Sequence, residues 1–353
     1  MMRLPRFRYR APRSVDDAVA WLAENPTDTM LLAGGTDVLP NMKRRQQTPG
    51  TLIGLRGVRE LAGITNGTRA ERGSNNAALT IGSGVTLTNL LAHKQIRESY
   101  AGFWQAAAQI ATPHLRNMGT IGGNLCLDTR CTYYDQTYEW RKSIDFCMKK
   151  DGQTCWVATS SPKCLAVSST DTAPMLQALG ASVTLVSSGG QRTLPLAELF
   201  ANDGMHYLTR RPDELLTSIA LPASDGWRSA YWKLRRRGSF DFPVAAAAVA
   251  AKFDGHDIVD VRIVLGAVSS RPVESDRAAA LLKGRRLSDE LITEAAAVAS
   301  EVAKPMDNTD FELVWRKAMV RTLVSCALHE VRGDDMRHRR RQLARQELLA
   351  SVT

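Results

Sequence analysis

No run of about eighteen apolar residues occurs in the 353-residue chain, so no bilayer-spanning helix is expected. Basic residues open it (MMRLPRFRYR) without an apolar stretch behind them, so the start does not read as a secretory signal and the expected address is cytoplasmic. The G-x-G-x-x-G fingerprint is missing, which argues against a Rossmann dinucleotide fold. Histidines are scattered without ligand spacing, and no internal repeat is visible. Aromatic residues are sparse, and no basic and aromatic stripe accompanies the net charge of +10. The excess collects at Arg235–Arg237 and at Arg337, Arg339, Arg340 and Arg341, runs that suit a solvated face or a docking face for another subunit. Nucleic-acid binding is not expected.

What is present reads as an ordinary globular chain, 44% apolar and 23% charged, long enough for two or three compact units. Ser14 and Asp17 form a capping pattern, after which Val15, Ala18, Val19 and Leu22 share one helical face up to Pro26. Strands are predicted at Met30–Ala33, Thr51–Leu55, Ala78–Ile81, Val183–Val186 and Leu215–Leu221. Helices are predicted from a Thr88 cap to Leu91, over Phe103–Ala111, and over Ala173–Leu179. Ala223–Trp227 reads as a boundary. Beyond it, Val244–Phe253 and Ile258–Leu265 flank Asp254-Gly255 as a hairpin, and helices follow at Arg277–Leu282, Asp289–Ala303 and Phe311–Leu328. Strands first and helices afterwards argue for a separate α+β domain.

Two glycine segments carry chemistry. Ala33-Gly34-Gly35-Thr36-Asp37 follows a strand directly, and successive N–H groups in such a turn make an anion-binding concavity. Thr120-Ile121-Gly122-Gly123-Asn124 repeats the device. A tight turn without a ligand is the alternative for either one alone.

Five of the six cysteines fall within thirty-nine positions, which in a chain with no export signal points to metal or redox chemistry rather than disulfides. Cys131, Cys147, Cys155 and Cys164 are separated by 16, 8 and 9 positions. Four thiolates can hold a [4Fe–4S] cube; zinc would also accept four, but its structural sites favour close C-x2-4-C pairs, which are missing. Cys126 and Cys326 read as structural.

The segments LLAGGTDVLPNMK, ATPHLRNMGTIGGN and SSTDTAPMLQALGA, in that order, resemble the FAD-binding subunit of xanthine-dehydrogenase-type molybdenum enzymes, over nearly the whole chain. The resemblance implies an α+β fold: a two-part FAD-binding domain (1–58 and 59–226, with an insertion at about 126–167), then a smaller α+β domain at 227–330 with a three-stranded antiparallel sheet and helices, and a basic tail at 331–353. By that resemblance Leu31, Leu32, Ala33, Gly34, Gly35, Thr36, Asp37 and Val38 wrap the FAD pyrophosphate, and Thr120, Ile121, Gly122, Gly123 and Asn124 hold its other side. Asp171 would bond the adenosine ribose region, with a helix cap as the alternative reading. Lys233 would lie near the flavin, with a solvated face as its alternative. No residue of this chain is expected to be catalytic on substrate.

In plain members of that family only a short turn separates the second glycine segment from the aspartate, whereas Asn124 and Asp171 are 47 positions apart here. The insertion resembles that of the 4-hydroxybenzoyl-CoA reductase branch, which implies a [4Fe–4S] cluster on Cys131, Cys147, Cys155 and Cys164. The implied partners are a molybdopterin-containing large subunit and a [2Fe–2S] small subunit in a dimer of heterotrimers, with ferredoxin as electron donor. The alternatives are a flavoprotein of the xanthine, aldehyde or carbon monoxide dehydrogenase type, and a non-catalytic zinc module.

Overall fold

Ser14 starts the first helix. In the computed structural model, which describes residues 3–67, 77–238 and 240–345, its hydroxyl accepts the Asp17 N–H at 3.1 Å. The helix runs Val15–Glu24, and its buried stripe of Ala18, Val19 and Leu22 packs on Ile53, Leu55, Val58 and Leu61. This core belongs to the first of two units, built from Met1–Leu90, Pro113–Ala166 and Gly180–Ala223.

The first unit holds two sheets. Strands β1 (Arg8–Arg10), β2 (Thr29–Leu32) and β3 (Thr51–Gly54) are parallel in the order β1-β3-β2. Strands β4 (Ile64–Asn66), β5 (Ala77–Gly82), β6 (Ser182–Ser187), β7 (Gly190–Pro195) and β8 (Leu215–Pro222) form an antiparallel sheet ordered β4-β5-β8-β6-β7. In β6 buried and half-buried residues alternate, as a strand with one covered face requires. The short helix near residue 88 starts one residue earlier than its predicted cap. It runs Leu87–Ala92, and the Thr86 hydroxyl, rather than that of Thr88, accepts the Asn89 N–H.

The second unit is built from Leu91–Thr112, Val167–Leu179 and Ser224–Thr353. Its antiparallel sheet comprises β9 (Trp227–Leu234), β10 (Ala245–Asp254), β11 (Asp257–Gly266) and the two-residue edge strand β12 (Val273–Glu274). Gly255 turns the β10–β11 hairpin with φ +59. Every residue from Ala245 to Ala251 is buried, because helices cover both faces of β10. Asp289–Glu301 and Leu313–Arg332 pack on one side, and Ala101–Ala108 and Thr172–Ala178 on the other. Small side chains make that possible: a Cβ on Gly102 would meet Met175 Sδ at 2.6 Å and the Ala230 nitrogen at 2.9 Å. Arg316, fully buried, donates to the carbonyls of Val244, Ala267 and Met306 at 3.0, 2.8 and 2.8 Å. In the basic tail, Arg337–Ala344 is helical, and Arg340 stacks 4.4 Å over Trp232 while bonding Glu330 at 2.6 Å. The end of that tail, 346–353, lies outside the described residues. Among the described residues no helix is long and apolar enough to cross a membrane.

Candidate functional site

Strand β2 delivers the chain directly into Ala33-Gly34-Gly35-Thr36, and the helix Val38–Lys43 begins after Asp37. Gly35 has φ +73, a conformation that a Cβ disfavours. Gly34 is needed for a different reason from the one its place in a ligand-binding turn suggests. A Cβ there would overlap the Met118 carbonyl oxygen, so the first glycine turn is pressed against the backbone that leads into the second. The approach continues along both segments: a Cβ on Gly119 would lie 3.5 Å from Thr36 Oγ1, and one on Gly123 would lie 4.0 Å from the Ala33 Cβ.

The second glycine segment is the start of a helix, not a turn. Thr120 caps Ile121–Leu125, its hydroxyl accepting the Gly123 N–H at 3.1 Å. Gly122 sits over Ser83, where a Cβ would come within 2.6 Å of the Ser83 Cβ. Thr120, Ile121, Gly122 and Asn124 are buried, while Gly123 and Thr36 are exposed and Ala33, Gly34 and Gly35 are half-buried. Among the described residues the N–H groups of Gly34, Gly35 and Thr36 donate to no protein acceptor. A row of free amides on a side-chain-free backbone fits a diphosphate. Leu31 and Leu32, at the end of β2, and Val38 flank that row half-buried.

The four cysteines of the insertion converge. Cys131, Cys147, Cys155 and Cys164 are all buried, carry no disulfide, and line one cavity with Lys149 and Tyr134 in its wall. Asp145, Phe146 and Asp151 all have positive φ, so strained backbone brackets Cys147 on both sides. Burial, with the neighbouring thiols adding to it, pushes the Cys131 thiol up to about 12 despite a hydrogen bond from the Tyr133 N–H. Burial likewise pushes Cys164 up to about 11, against the Ala166 N–H and the Lys149 ammonium. Thiols so placed ionise at neutral pH only if a cation joins them. Among the described residues no three His, Cys, Asp or Glu side chains close on a single-ion position.

A buried polar chain joins the cysteine cavity to the first glycine turn. Arg130, the residue before Cys131, pairs with Asp37 and lies 3.2 Å from Asp135 and 3.4 Å from Asn41. Burial raises the Asp37 carboxyl, and Asp128 and Asp135 add to that, while Arg130 opposes it. Asp128 accepts from Lys149 at 2.8 Å, from the Tyr134 hydroxyl at 3.1 Å and from Gln47 at 3.2 Å. None of Arg130, Asp128 or Lys149 stands out in the sequence, because a pairing between residues 37 and 130 has no local signature.

Asp171 and Lys233 belong to the second unit and to each other. Lys233 Nζ lies 3.0 Å from the Asp171 carboxylate and donates to the Gln109 carbonyl at 3.1 Å, and the Tyr231 hydroxyl donates to Asp171 at 2.8 Å. Both side chains are buried, so Lys233 is not on a solvated face. Nor does Asp171 cap the helix Thr172–Ala178 that follows: its backbone is helical and its side chain makes no cap bond. The Ala173 N–H goes to the Thr170 hydroxyl at 3.4 Å instead. Burial raises the Asp171 carboxyl and lowers the Lys233 ammonium.

Comparison with known proteins bears on this geometry. Residues 5–224 match the family model described as the FAD binding domain in molybdopterin dehydrogenase, and residues 229–331 match the carbon monoxide dehydrogenase flavoprotein C-terminal domain. The carbon monoxide dehydrogenase medium chain of Hydrogenophaga pseudoflava is 28% identical over 92% of this chain and 96% of its own length. The aldehyde oxidoreductase FAD-binding subunit PaoB of Escherichia coli K12 is 30% identical over 80% of this chain and 88% of its own. Among solved structures, the Hydrogenophaga pseudoflava carbon monoxide dehydrogenase lacking the Mo-pyranopterin moiety of its cofactor superposes with a TM-score of 0.76 at 27% identity. That match covers 94% of this chain and 98% of the other.

Proposed function

This chain belongs to the FAD-binding subunits of the molybdenum hydroxylases, and we propose that it is the member of that group which carries a [4Fe–4S] cluster beside its flavin and passes electrons inward to a molybdenum site. FAD exchanges electron pairs and single electrons, so such a subunit links one-electron and two-electron carriers. The glycine cradle, Leu31 to Val38 with Thr120 to Asn124, would hold the diphosphate. Asp171 and Lys233 would act toward the flavin as a buried, mutually fixed pair. The observation that carries the cluster is the convergence of Cys131, Cys147, Cys155 and Cys164 on one cavity.

The name of one relative, a medium chain, supports a larger and a smaller partner. The proposed partners are a molybdopterin subunit and a [2Fe–2S] subunit in a dimer of heterotrimers, with ferredoxin proposed as the donor. The proposed reaction of the complex is reductive dehydroxylation. Two electrons and two protons convert 4-hydroxybenzoyl-CoA into benzoyl-CoA and water, on the partner that holds molybdenum.

The relatives favour a second reading, a flavoprotein of the carbon monoxide, aldehyde or xanthine dehydrogenase type that sends electrons outward. That reading leaves the four buried thiols without a task. Anaerobic purification of the complex separates the two. Flavin bands over broad iron–sulfur absorption, with benzoyl-CoA formed from 4-hydroxybenzoyl-CoA and a low-potential donor, support the first; a flavin-only subunit whose complex oxidises aldehydes or purines supports the second.

A further inference from the structure

Among the described residues, Lys149 is the only cation in the wall of the cysteine cavity. Its side chain is 5% exposed, and its ammonium is fixed by three acceptors: Asp128 Oδ1 at 2.8 Å, the Thr129 hydroxyl at 2.7 Å and the Gly204 carbonyl at 2.6 Å. The rings of Tyr134 and Tyr207 lie 5.0 and 5.3 Å from it. Asp128, equally buried, is not part of the cavity wall. The ion pair is therefore asymmetric about the cavity: Lys149 contributes to its wall and its charge acts on the Cys164 thiol, while Asp128 lies outside the lining. It is also tied to the ligand loops: Gly204, which accepts from Lys149, donates its N–H to the Cys164 carbonyl at 2.8 Å, and Lys149 stands two residues after Cys147.

A buried ion pair made only for stability needs no particular direction, and it is often no better than apolar packing. Here the direction has an electrostatic effect. A fixed positive charge in a low-dielectric wall favours any added negative charge in the cavity, and each electron accepted by a thiolate-bound cluster is such a charge.

We propose that Lys149, held by Asp128, sets the reduction potential of the group bound by the four cysteines, raising it and so easing electron entry. The inference rests on the cluster reading above. Lys149 is a positioning charge and not a ligand.

The test is a redox titration of the anaerobically purified full-length complex, following the cluster by electron paramagnetic resonance, with iron and FAD counted per chain. Lys149→Met is expected to keep its iron and to titrate at a lower potential than wild type. Lys149→Arg should titrate near wild type, and Asp128→Asn, which removes the opposing charge, should titrate higher. If Lys149→Met loses iron, Lys149→Gln and Asp128→Asn decide by the same measurement. Iron-replete variants that all titrate at the wild-type potential overturn the inference and leave the cluster reading standing. A wild-type chain without iron overturns both.

Discussion

The guanidinium of Arg130 holds the carboxylate of Asp37. Asp37 closes the first glycine turn and Arg130 immediately precedes Cys131, so one ion pair spans from that turn to the cysteine loop. Both side chains are mostly buried, at 10% and 24% exposure, and Arg130, helped by a hydrogen bond from Asn41 at 2.9 Å, opposes the desolvation of Asp37. Removing Arg130 leaves a largely buried carboxylate with that one bond. Arg130→Gln is expected to lower stability by on the order of 3 kcal/mol. Urea unfolding would measure the loss, and flavin should elute more readily from the variant on gel filtration. Wild-type stability and flavin retention would mean that the pair couples nothing.

Gly34→Ala should lose FAD and stability together, because the added methyl strikes the Met118 carbonyl and forces the two glycine segments apart. Gly63→Ala is the control, since a Cβ there meets nothing within 4 Å. Flavin absorbance per chain and thermal melting distinguish the two. Equal flavin content in both variants would refute the close approach.

Cys147→Ser is expected to empty the cysteine cavity of iron while FAD stays, since both glycine segments lie outside the strained loop around Cys147. Iron and flavin are counted on the same sample. A full iron complement would show that Cys147 is not a ligand.

Glu214 gives the first unit a pH-dependent ion pair. Burial acts to raise its carboxyl, but the Arg192 guanidinium and the Arg211 N–H outweigh it and hold the pKa below the usual glutamate value. Arg192 donates to it at 2.7 and 2.9 Å. The folded pKa lies below the unfolded one, so the stabilisation is complete above the unfolded value and fades as pH falls through the folded value. Because Arg192 is 41% exposed, solvent screening keeps the effect to about 1 kcal/mol. Wild type should therefore lose more stability than Glu214→Gln between neutral pH and pH about 3. Parallel acid unfolding curves would argue against the pair.

The readable parts of the sequence were those with a local cause. Ser14 and Asp17 mark a cap, Asp254-Gly255 marks a hairpin, and the glycine pair after β2 marks a tight turn. Four clustered cysteines mark a common site, and in the fold they line one cavity. The unread parts depend on residues far apart in the chain. Strand β9 begins at Trp227, inside the expected boundary, and its last five residues are all buried, so it shows no alternation. The segment 120–124 looked like a turn because its glycines suggest flexibility, yet Thr120 caps it as a helix. Asp171 offered two local readings, cap or ligand, and its observed partners, Tyr231 and Lys233, sit about sixty positions away. Those two residues share a face of β9 because strand side chains alternate, a fact hidden until the strand itself is recognised.

Each unit is assembled from three separate stretches of chain, interleaved along the sequence. A growing polypeptide cannot complete the first unit until Ala223 has been made, and by then two of the three stretches of the second are already waiting for their sheet. No single cut releases either unit as a continuous fragment, so truncations meant to isolate the glycine segments will instead leave both units incomplete. The glycine segments, too, are joined by residues committed elsewhere. Loading of the flavin is therefore expected late in biogenesis, on a chain that is essentially whole.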